Sequence, residues 1–94
     1  MTRAARLEHA LKAALDPISI SVVDESHRHA GHAGARAEGE THYAVEILSS
    51  RFVGLTRVQR HRLVHEIVHD EFQNGLHALS LKLLAPEERA KSGA

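Results

Sequence analysis

The sequence contains no cysteine and no tryptophan, and it has only one tyrosine and two phenylalanines. Without cysteine, the chain forms no disulfide, and a thiolate needed by a soft metal or an iron–sulfur cluster has to come from another molecule. The low aromatic content, 3%, argues against binding single-stranded nucleic acid by base stacking. It also predicts a core made of Leu, Ile, Val and Ala.

Charge of one sign is also lacking, because 12 basic and 12 acidic residues give a net charge of zero when histidine is neutral. A neutral chain is a poor electrostatic binder of nucleic acid at neutral pH, although its nine histidines make it cationic as the pH falls. There is no long apolar run and no continuous apolar segment of a signal peptide near the N-terminus. These features predict a cytoplasmic protein that does not bind membranes.

Motifs of enzymatic chemistry are absent as well. The sequence has no GxSxG elbow for a nucleophilic serine. Gly31, Gly34 and Gly39 precede the pattern of a strand, whereas the glycines of a phosphate-binding loop precede a helix. We therefore expect a protein that is not an enzyme and has no small-molecule substrate.

Hydrophobic periodicity in the first half predicts one helix and two strands. Apolar residues at three- and four-residue steps predict a helix over about residues 2–15, which ends before the Asp16–Pro17 pair. Two stretches in which apolar and polar residues alternate predict strands with one apolar face each. Their apolar residues are Ile18, Ile20 and Val22 in the first stretch, and Tyr43, Val45 and Ile47 in the second.

The second half is organised around a helix, a turn and a strand. Thr56 is a suitable N-cap, and apolar residues at helical spacing continue as far as Phe72, which predicts one helix between them. Asn74–Gly75 predicts a left-handed stop. Leucines at every second position, Leu79 to Leu83, then predict a half-buried strand.

The order of these elements predicts an α+β fold of the αββαβ type, in which helices pack on one face of a small three-stranded sheet. A short final helix beginning at Pro86 follows. We expect one domain over residues 1–94, with a structured core of about 2–88, an exposed and mobile loop over 26–41, and a frayed tail over 89–94.

Two groups of histidines are candidate metal ligands. His27, His29 and His32 form an HxHxxH pattern in the predicted loop, where flexible backbone presets no coordination geometry, so solvated histidines are the default interpretation. A second group is spaced by four along the main helix, but it lacks the glutamate of a metalloprotease helix. We interpret this second group as half-exposed surface residues; it consists of His61, His65 and His69.

Several motifs together closely resemble the BolA family over about residues 5–88. They are GETHY (39–43), SSRFVGL (49–55), QRHR (59–62) and HALSLK (77–82). The resemblance implies a fold related to the class II K-homology domain and a non-enzymatic role. It also implies pairing with a monothiol glutaredoxin around a shared [2Fe-2S] cluster, in iron–sulfur trafficking or iron regulation.

The resemblance also implies cluster ligands. The family's C-terminal ligand, the His that precedes the last strand, corresponds to His77. Aligned from the residues 24–26, the loop ligand corresponds to His29, with His27 and His32 as alternatives. Imidazole replaces thiolate on one iron in some clusters, so we expect the partner side to supply the cysteine and glutathione thiolates.

A DNA-binding role is the alternative, because some bacterial BolA-like proteins are described as regulators of morphology and stress responses. The segment 52–72 has a faint helix-turn-helix pattern, and Arg57, Arg60 and Arg62 are its candidate phosphate contacts. Acidic residues further along the segment offset that charge. The GXXG loop with which K-homology domains clamp nucleotides is absent, so the implied fold does not bring RNA binding with it.

Overall fold

The computed structural model describes residues 2–26 and 41–88. These residues form one mixed sheet in the order β1-β2-β3, in which β1 and β2 are antiparallel and β2 and β3 are parallel. The predicted α+β class and order of elements are confirmed. The elements are α1 (Arg3–Leu15), β1 (Ser19–Asp24), β2 (His42–Leu48), a 3₁₀ turn (Ser50–Phe52), α2 (Arg57–Ile67), α3 (His69–Gln73) and β3 (Ala78–Leu84), and residues 86–88 form a helical turn.

The helices cover one face of the sheet, as the alternating patterns predicted. Every second residue faces the core, beginning with Tyr43 in β2 and with Leu79 in β3. Ile20 and Val22 of β1 face the core as well. Ile18 is an exception, because 62% of it is exposed. The prediction that Ile18 belongs to the apolar face of the first strand was therefore wrong: the strand begins one residue later, and the Ile18 side chain lies mainly in solvent.

Capping and burial explain the limits of α1. The Thr2 hydroxyl accepts a hydrogen bond from the N–H of Ala5 (3.1 Å) and so caps the first turn. Asp16, which has a left-handed φ of 43°, ends the helix. The side chains that recur on the buried side of α1 are Leu7, Leu11 and Leu15.

The long helix predicted to run from Thr56 to Phe72 is divided in two. Thr56 caps α2 as predicted, and its partner in a capping box is Gln59, whose side chain accepts from the Thr56 N–H (2.8 Å). The prediction of one continuous helix was wrong, since Val68 leaves helical geometry (φ −106°, ψ 18°) while its side chain stays buried. After this break the chain continues as α3.

The chain then reverses at the predicted turn. Gly75 has a φ of 116°, a conformation that residues with a Cβ rarely adopt, and the N–H of Leu76 donates to the carbonyl of Glu71 (2.9 Å). This hydrogen bond closes the end of α3. The turn brings the chain back to the sheet just before β3, so His77 lies at the start of the strand.

Candidate imidazole site at one end of the sheet

The parallel pairing of β2 and β3 brings two histidines together. We call the end of the sheet where these two strands begin the open end, and the end where they finish the closed end. His42, the first residue of β2, lies opposite Ala78 in the register, so its side chain neighbours His77. The two rings are stacked, with centroids 6.2 Å apart and planes 11° apart. His77 is exposed and His42 is half-buried.

Buried hydroxyl residues fix the backbone that carries both rings. The carbonyl of Thr41 accepts from the N–H groups of His77 (2.8 Å) and Ala78 (3.1 Å). The hydroxyl of Ser26 accepts from the N–H groups of Thr41 (2.9 Å) and His42 (3.1 Å). Both Ser26 and Thr41 are almost completely inaccessible to solvent. The two imidazoles therefore project from backbone that is rigid at this end of the sheet.

The burial of Ser26 and Thr41 corrects part of the prediction made for the loop. Residues 26–41 were predicted to be exposed, and this is wrong for Ser26 and Thr41, because their hydroxyl and backbone groups hold the sheet together. The Ser26 N–H also donates to an Asp24 carboxylate oxygen (2.8 Å), an Asx-type arrangement that turns the chain as it leaves β1. Residues 27–40, and with them the predicted mobility of the loop, lie outside the described residues.

One ring nitrogen of His42 is in hydrogen-bonding contact with Thr41. Its Nδ1 lies 2.9 Å from the hydroxyl oxygen of Thr41. In the tautomer that carries hydrogen on Nδ1, His42 donates to this oxygen. Ligating histidines commonly have this arrangement, in which the second nitrogen donates to a fixed acceptor.

The structure locates only part of the predicted ligand set. His77 lies at the open end, whereas His29 and its alternatives, His27 and His32, lie outside the described residues. Sequence reasoning missed His42, which was treated as one polar residue of a strand. Two features could have identified it. His42 precedes the core residue Tyr43, so its side chain falls on the face opposite the core. It is also the first residue of a strand that pairs in parallel with β3, so it lies beside the start of β3.

The described residues provide imidazole nitrogen but no thiolate at this end of the sheet. Within residues 2–26 and 41–88, no three or more His, Asp or Glu side chains come together as a metal site. An exposed imidazole can supply one coordination position to a metal whose other ligands come from elsewhere. The donor set thus fits a shared centre better than a metal site closed by the described part of this chain.

The histidines of the main helix do not form such a pair of rings. His65 stacks on Phe72 instead, with centroids 5.1 Å apart, and the break at Val68 places His69 in α3. His61 lies one turn before His65 in α2. This geometry agrees with their interpretation as surface residues.

The three candidate phosphate contacts differ in their surroundings. The Arg60 side chain is only 11% exposed; it donates to the carbonyls of Leu55 (3.0 Å) and Leu83 (3.1 Å) and pairs with Glu88. The guanidinium of Arg60 is thus occupied by contacts within the fold. Arg57 and Arg62 are exposed.

An ion cluster holds the turn that precedes His77. Arg3 donates to a carboxylate oxygen of Glu71 (2.9 Å) and to the carbonyl of Asn74 (2.6 Å), and Arg6 donates to both oxygens of the same carboxylate (2.9 and 3.1 Å). The hydrogen bonds from Arg6 are the main reason that the pKa of Glu71 lies below its ordinary value; Arg3 lowers it further, and partial burial opposes the shift. The cluster ties α3 to the first turn of α1.

In outline, the molecule is a small α+β domain whose mixed three-stranded sheet displays two stacked imidazoles at one end. No helix within the described residues is long and apolar enough to span a membrane. The profile of the family described as BolA-like protein matches residues 11–88. The chain belongs to the BolA-like family.

Named relatives agree with this assignment. The chain is 43% identical over 88 residues to the chloroplastic protein BOLA1 of Arabidopsis thaliana, covering 92% of this chain and 55% of that protein. It is 42% identical over 91 residues to the chloroplastic/mitochondrial SufE-like protein 1 of the same plant, covering 93% of this chain and 24% of that protein. The chain therefore spans about half of one relative and about a quarter of the other.

A bacterial relative and a solved structure extend the comparison. The DNA-binding transcriptional regulator BolA of Escherichia coli is 40% identical over 76 residues, which cover 81% of this chain and 69% of the regulator. The solved BolA domain of SufE1 from Arabidopsis thaliana is similar with a TM-score of 0.85 at 41% identity, covering 94% of this chain and 96% of that domain. The fold predicted from the sequence is thus that of solved BolA domains.

Proposed function

We propose that this chain is a non-enzymatic binding module that pairs with a monothiol glutaredoxin and contributes imidazole ligands to a shared [2Fe-2S] cluster. The role would be iron–sulfur trafficking or iron regulation. The observation that carries the proposal is the exposed His77 ring, which projects from fixed backbone and stacks at 6.2 Å on His42. A ligand that enters a partner's metal centre has to be both accessible and positioned.

The chemistry of the donors supports a divided set of ligands. Iron–sulfur clusters are held mainly by thiolates, and imidazole replaces thiolate on one iron in the Rieske type. This chain has no cysteine, so the thiolates would come from a cysteine of the glutaredoxin and from glutathione. His77 is the proposed imidazole ligand of this chain.

The second imidazole has two candidates. The family resemblance implies His29 of the loop, and the geometry adds His42, whose ring stacks on that of His77 and whose Nδ1 lies 2.9 Å from the hydroxyl oxygen of Thr41. Both are compatible with His77 as the ligand at the start of β3. Separate substitution of His29 and His42 distinguishes them, because loss of a ligand removes histidine nitrogen coupling from the reduced cluster.

Reconstitution with the partner tests the proposal directly. The chain is mixed with a monothiol glutaredoxin that carries a glutathione-ligated cluster, and visible absorption and circular dichroism are recorded during titration. We expect a new spectrum that saturates at one chain per glutaredoxin. Pulsed electron paramagnetic resonance of the reduced complex should show coupling to the nitrogens of two histidines, of which His77→Ala removes one.

A matched control is available on the same chain. His69→Ala removes an exposed imidazole of α3 that is separate from the stacked pair, so it should leave the spectra unchanged. If the chain neither pairs with the glutaredoxin nor alters the cluster spectrum, the proposal is wrong. Equal spectra for the wild-type and His77→Ala complexes would reject His77 as ligand and leave the pairing itself intact.

Regulation of transcription through DNA is the second candidate, and the name of the Escherichia coli relative is what favours it. The exposed Arg57 and Arg62 would contact phosphates, while Arg60 is occupied by Glu88 and by backbone carbonyls. Phosphate contacts give binding that weakens steeply with salt. A titration of duplex DNA at several salt concentrations checks this, and no binding at low salt would reject it.

The cytoplasmic location stays a prediction, since two of the relatives carry chloroplastic names.

A further inference from the structure

The outer edge of β3 presents unpaired backbone groups. Within the described residues, β3 pairs only with β2. At its two ends, the N–H of Ala78 and the carbonyl of Leu84 form hydrogen bonds toward β2 and its flanking residues. Because backbone groups alternate in direction along a strand, those of Leu79, Leu81 and Leu83 point to the free edge.

A groove of about 510 Å³ follows this edge. It lies between β3 and the first turns of α2, and its apolar lining includes Leu55, Leu81 and Leu83. Four consecutive residues of β3 line it, so the groove runs along the C-terminal half of the strand. The charged and titratable side chains along it are Arg57, Arg60, His61, Lys82 and Glu88.

The charges of this groove do not cancel. Arg60 pairs with Glu88, and the same guanidinium caps the Leu83 carbonyl, so these two charges are balanced. Arg57 is exposed and His61 is half-buried beside it. Lys82 lies 3.7 Å from Glu46, whose carboxylate is outside the lining of the groove, so the lining itself holds the basic Arg57, Arg60 and Lys82 against the single carboxylate of Glu88. The groove is therefore cationic.

We propose that the free edge of β3 binds an extended acidic segment of a partner protein as an added strand. The outward N–H and carbonyl groups of Leu79 and Leu81 would form the ladder, as in other cases of strand addition. Side chains of the added strand alternate between the two faces of the sheet. Acidic residues on one face would meet Arg57, and those on the other would meet Lys82.

Two other occupants fit the groove less well. A second copy of this chain would bring the same cationic groove to the interface, and like charges facing each other oppose pairing. A nucleic acid backbone would satisfy the positive charges but has no row of N–H donors for the outward carbonyls of Leu79 and Leu81. An acidic polypeptide supplies both the charge and the donors.

Binding of a synthetic peptide tests the proposal on the cluster-free chain without a glutaredoxin, so its failure is distinct from failure of the proposed function. The probe is a fluorescently labelled peptide in which pairs of valine alternate with pairs of aspartate, so that aspartate falls on both faces of the added strand, and it is long enough to span Leu79 to Leu83. We expect saturable binding, and slower hydrogen exchange at the outward amides of Leu79 and Leu81. The amides of Ser80 and Lys82 already face β2 and should change little.

Charge reversal with a matched control distinguishes binding in this groove from nonspecific electrostatic attraction to the chain. Arg57→Glu should weaken peptide binding about tenfold, which corresponds to about 1.4 kcal/mol. Arg62→Glu changes the same charge on the same helix outside the groove, and we expect less than a twofold change. If circular dichroism shows that Arg57→Glu is misfolded, Lys82→Glu replaces it with the same expected direction.

Four outcomes would overturn the proposal. They are no binding of the peptide, equal binding of a peptide with asparagine in place of aspartate, equal loss in Arg57→Glu and Arg62→Glu, and binding without protection of Leu79 and Leu81. Protection of these amides in the free chain, together with a dimer in analytical ultracentrifugation, would assign the edge to a second copy. Displacement of the peptide by an oligonucleotide that itself gives no such protection would assign the cationic groove to nucleic acid.

Discussion

The two ends of the β2–β3 pair belong to one parallel ladder, but side chains are buried at one end and face outward at the other. At the closed end Ser49 is fully buried, and its hydroxyl donates to the carbonyl of Leu15 (2.6 Å). At the open end Thr41 is equally buried, yet the neighbouring side chains of His42 and His77 turn outward and stack on each other. One end completes the core, and the other displays reactive nitrogen.

The difference shows that rigidity and exposure are separate properties of a site. Buried hydroxyl groups fix the backbone at both ends, since an unpaired polar group there would cost free energy. What distinguishes the open end is only the direction of the side chains that follow the anchors. Substitutions that remove a core side chain, an ion cluster, an anchor or a displayed ring should therefore affect stability to decreasing degrees.

The largest effect is expected at the closed end. Phe52 is completely buried, and the guanidinium of Arg60 lies 5.8 Å from the centre of its ring. Phe52→Ala should lower the free energy of unfolding by about 3–5 kcal/mol, because it removes a large apolar side chain and leaves a cavity. Urea denaturation followed by circular dichroism measures the change.

The next residue provides the control. Val53 is 52% exposed, so Val53→Ala should change the free energy of unfolding by less than about 0.5 kcal/mol. Comparable losses in Phe52→Ala and Val53→Ala would show that the closed end is not packed as described.

A smaller effect is expected at the ion cluster behind the open end. Glu71→Gln removes the carboxylate charge that Arg3 and Arg6 share and should cost about 1.5–3 kcal/mol, the range for hydrogen bonds to charged groups. The Arg3 side chain is only 9% exposed, so solvent compensates little for the lost partner. Thermal unfolding at neutral pH measures the difference, with Glu66→Gln on the exposed part of α2 as control.

The pH dependence gives this prediction a second readout. Because the pKa of Glu71 is lowered in the folded chain, its contribution is present above the ordinary glutamate pKa of about 4.3. That contribution is lost as the pH falls through the lowered value, when the carboxylate is protonated even in the folded state. The stability difference between wild type and Glu71→Gln should therefore shrink in acid. A difference that is independent of pH would contradict the assignment.

Thr41→Val tests the anchor itself. Valine has nearly the same shape but cannot form the hydrogen bond to Nδ1 of His42, while the backbone carbonyl of residue 41 still accepts from His77. We expect a loss of about 0.5–1.5 kcal/mol. Nitrogen-15 chemical shifts of the imidazoles should also show a change in the tautomer of His42 and little change for His77. An unaltered tautomer would mean that the hydroxyl does not set it.

Local patterns predicted most of the fold, because each depends on residues that are neighbours in sequence. The cap at Thr56, the turn at Gly75 and the alternation in β2 and β3 are of this kind. The break at Val68 was not predictable in the same way, because its apolar side chain fits the helical stripe even where the backbone leaves it. The exposure of Ile18 is likewise a tertiary feature, because the alternating pattern does not say where the buried face of β1 begins.

The candidate site was predictable in part for the same reason. His77 stands between a turn and a strand in the sequence, so its position at a sheet end could be derived locally. His42 is 35 positions away, and only the parallel register of β2 with β3 makes the two neighbours. The anchoring roles of Ser26 and Thr41 likewise depend on pairing across a long connection, and sequence patterns carry no direct signal for it.

The smallest effect on stability is expected at His77. Its ring is exposed and stacks on the imidazole of His42, while the hydrogen bond from its N–H to Thr41 belongs to the backbone and survives substitution. His77→Ala should therefore change the free energy of unfolding by less than about 0.5 kcal/mol. If the ring ligates iron, the same change should weaken cluster-bridged pairing far more than apo pairing, because only the former includes a metal–ligand bond. Thermal unfolding and titration with apo and cluster-loaded glutaredoxin measure the two effects on one variant. A large loss of melting temperature with unchanged cluster spectra would make His77 a structural residue, and the open end would then resemble the closed one.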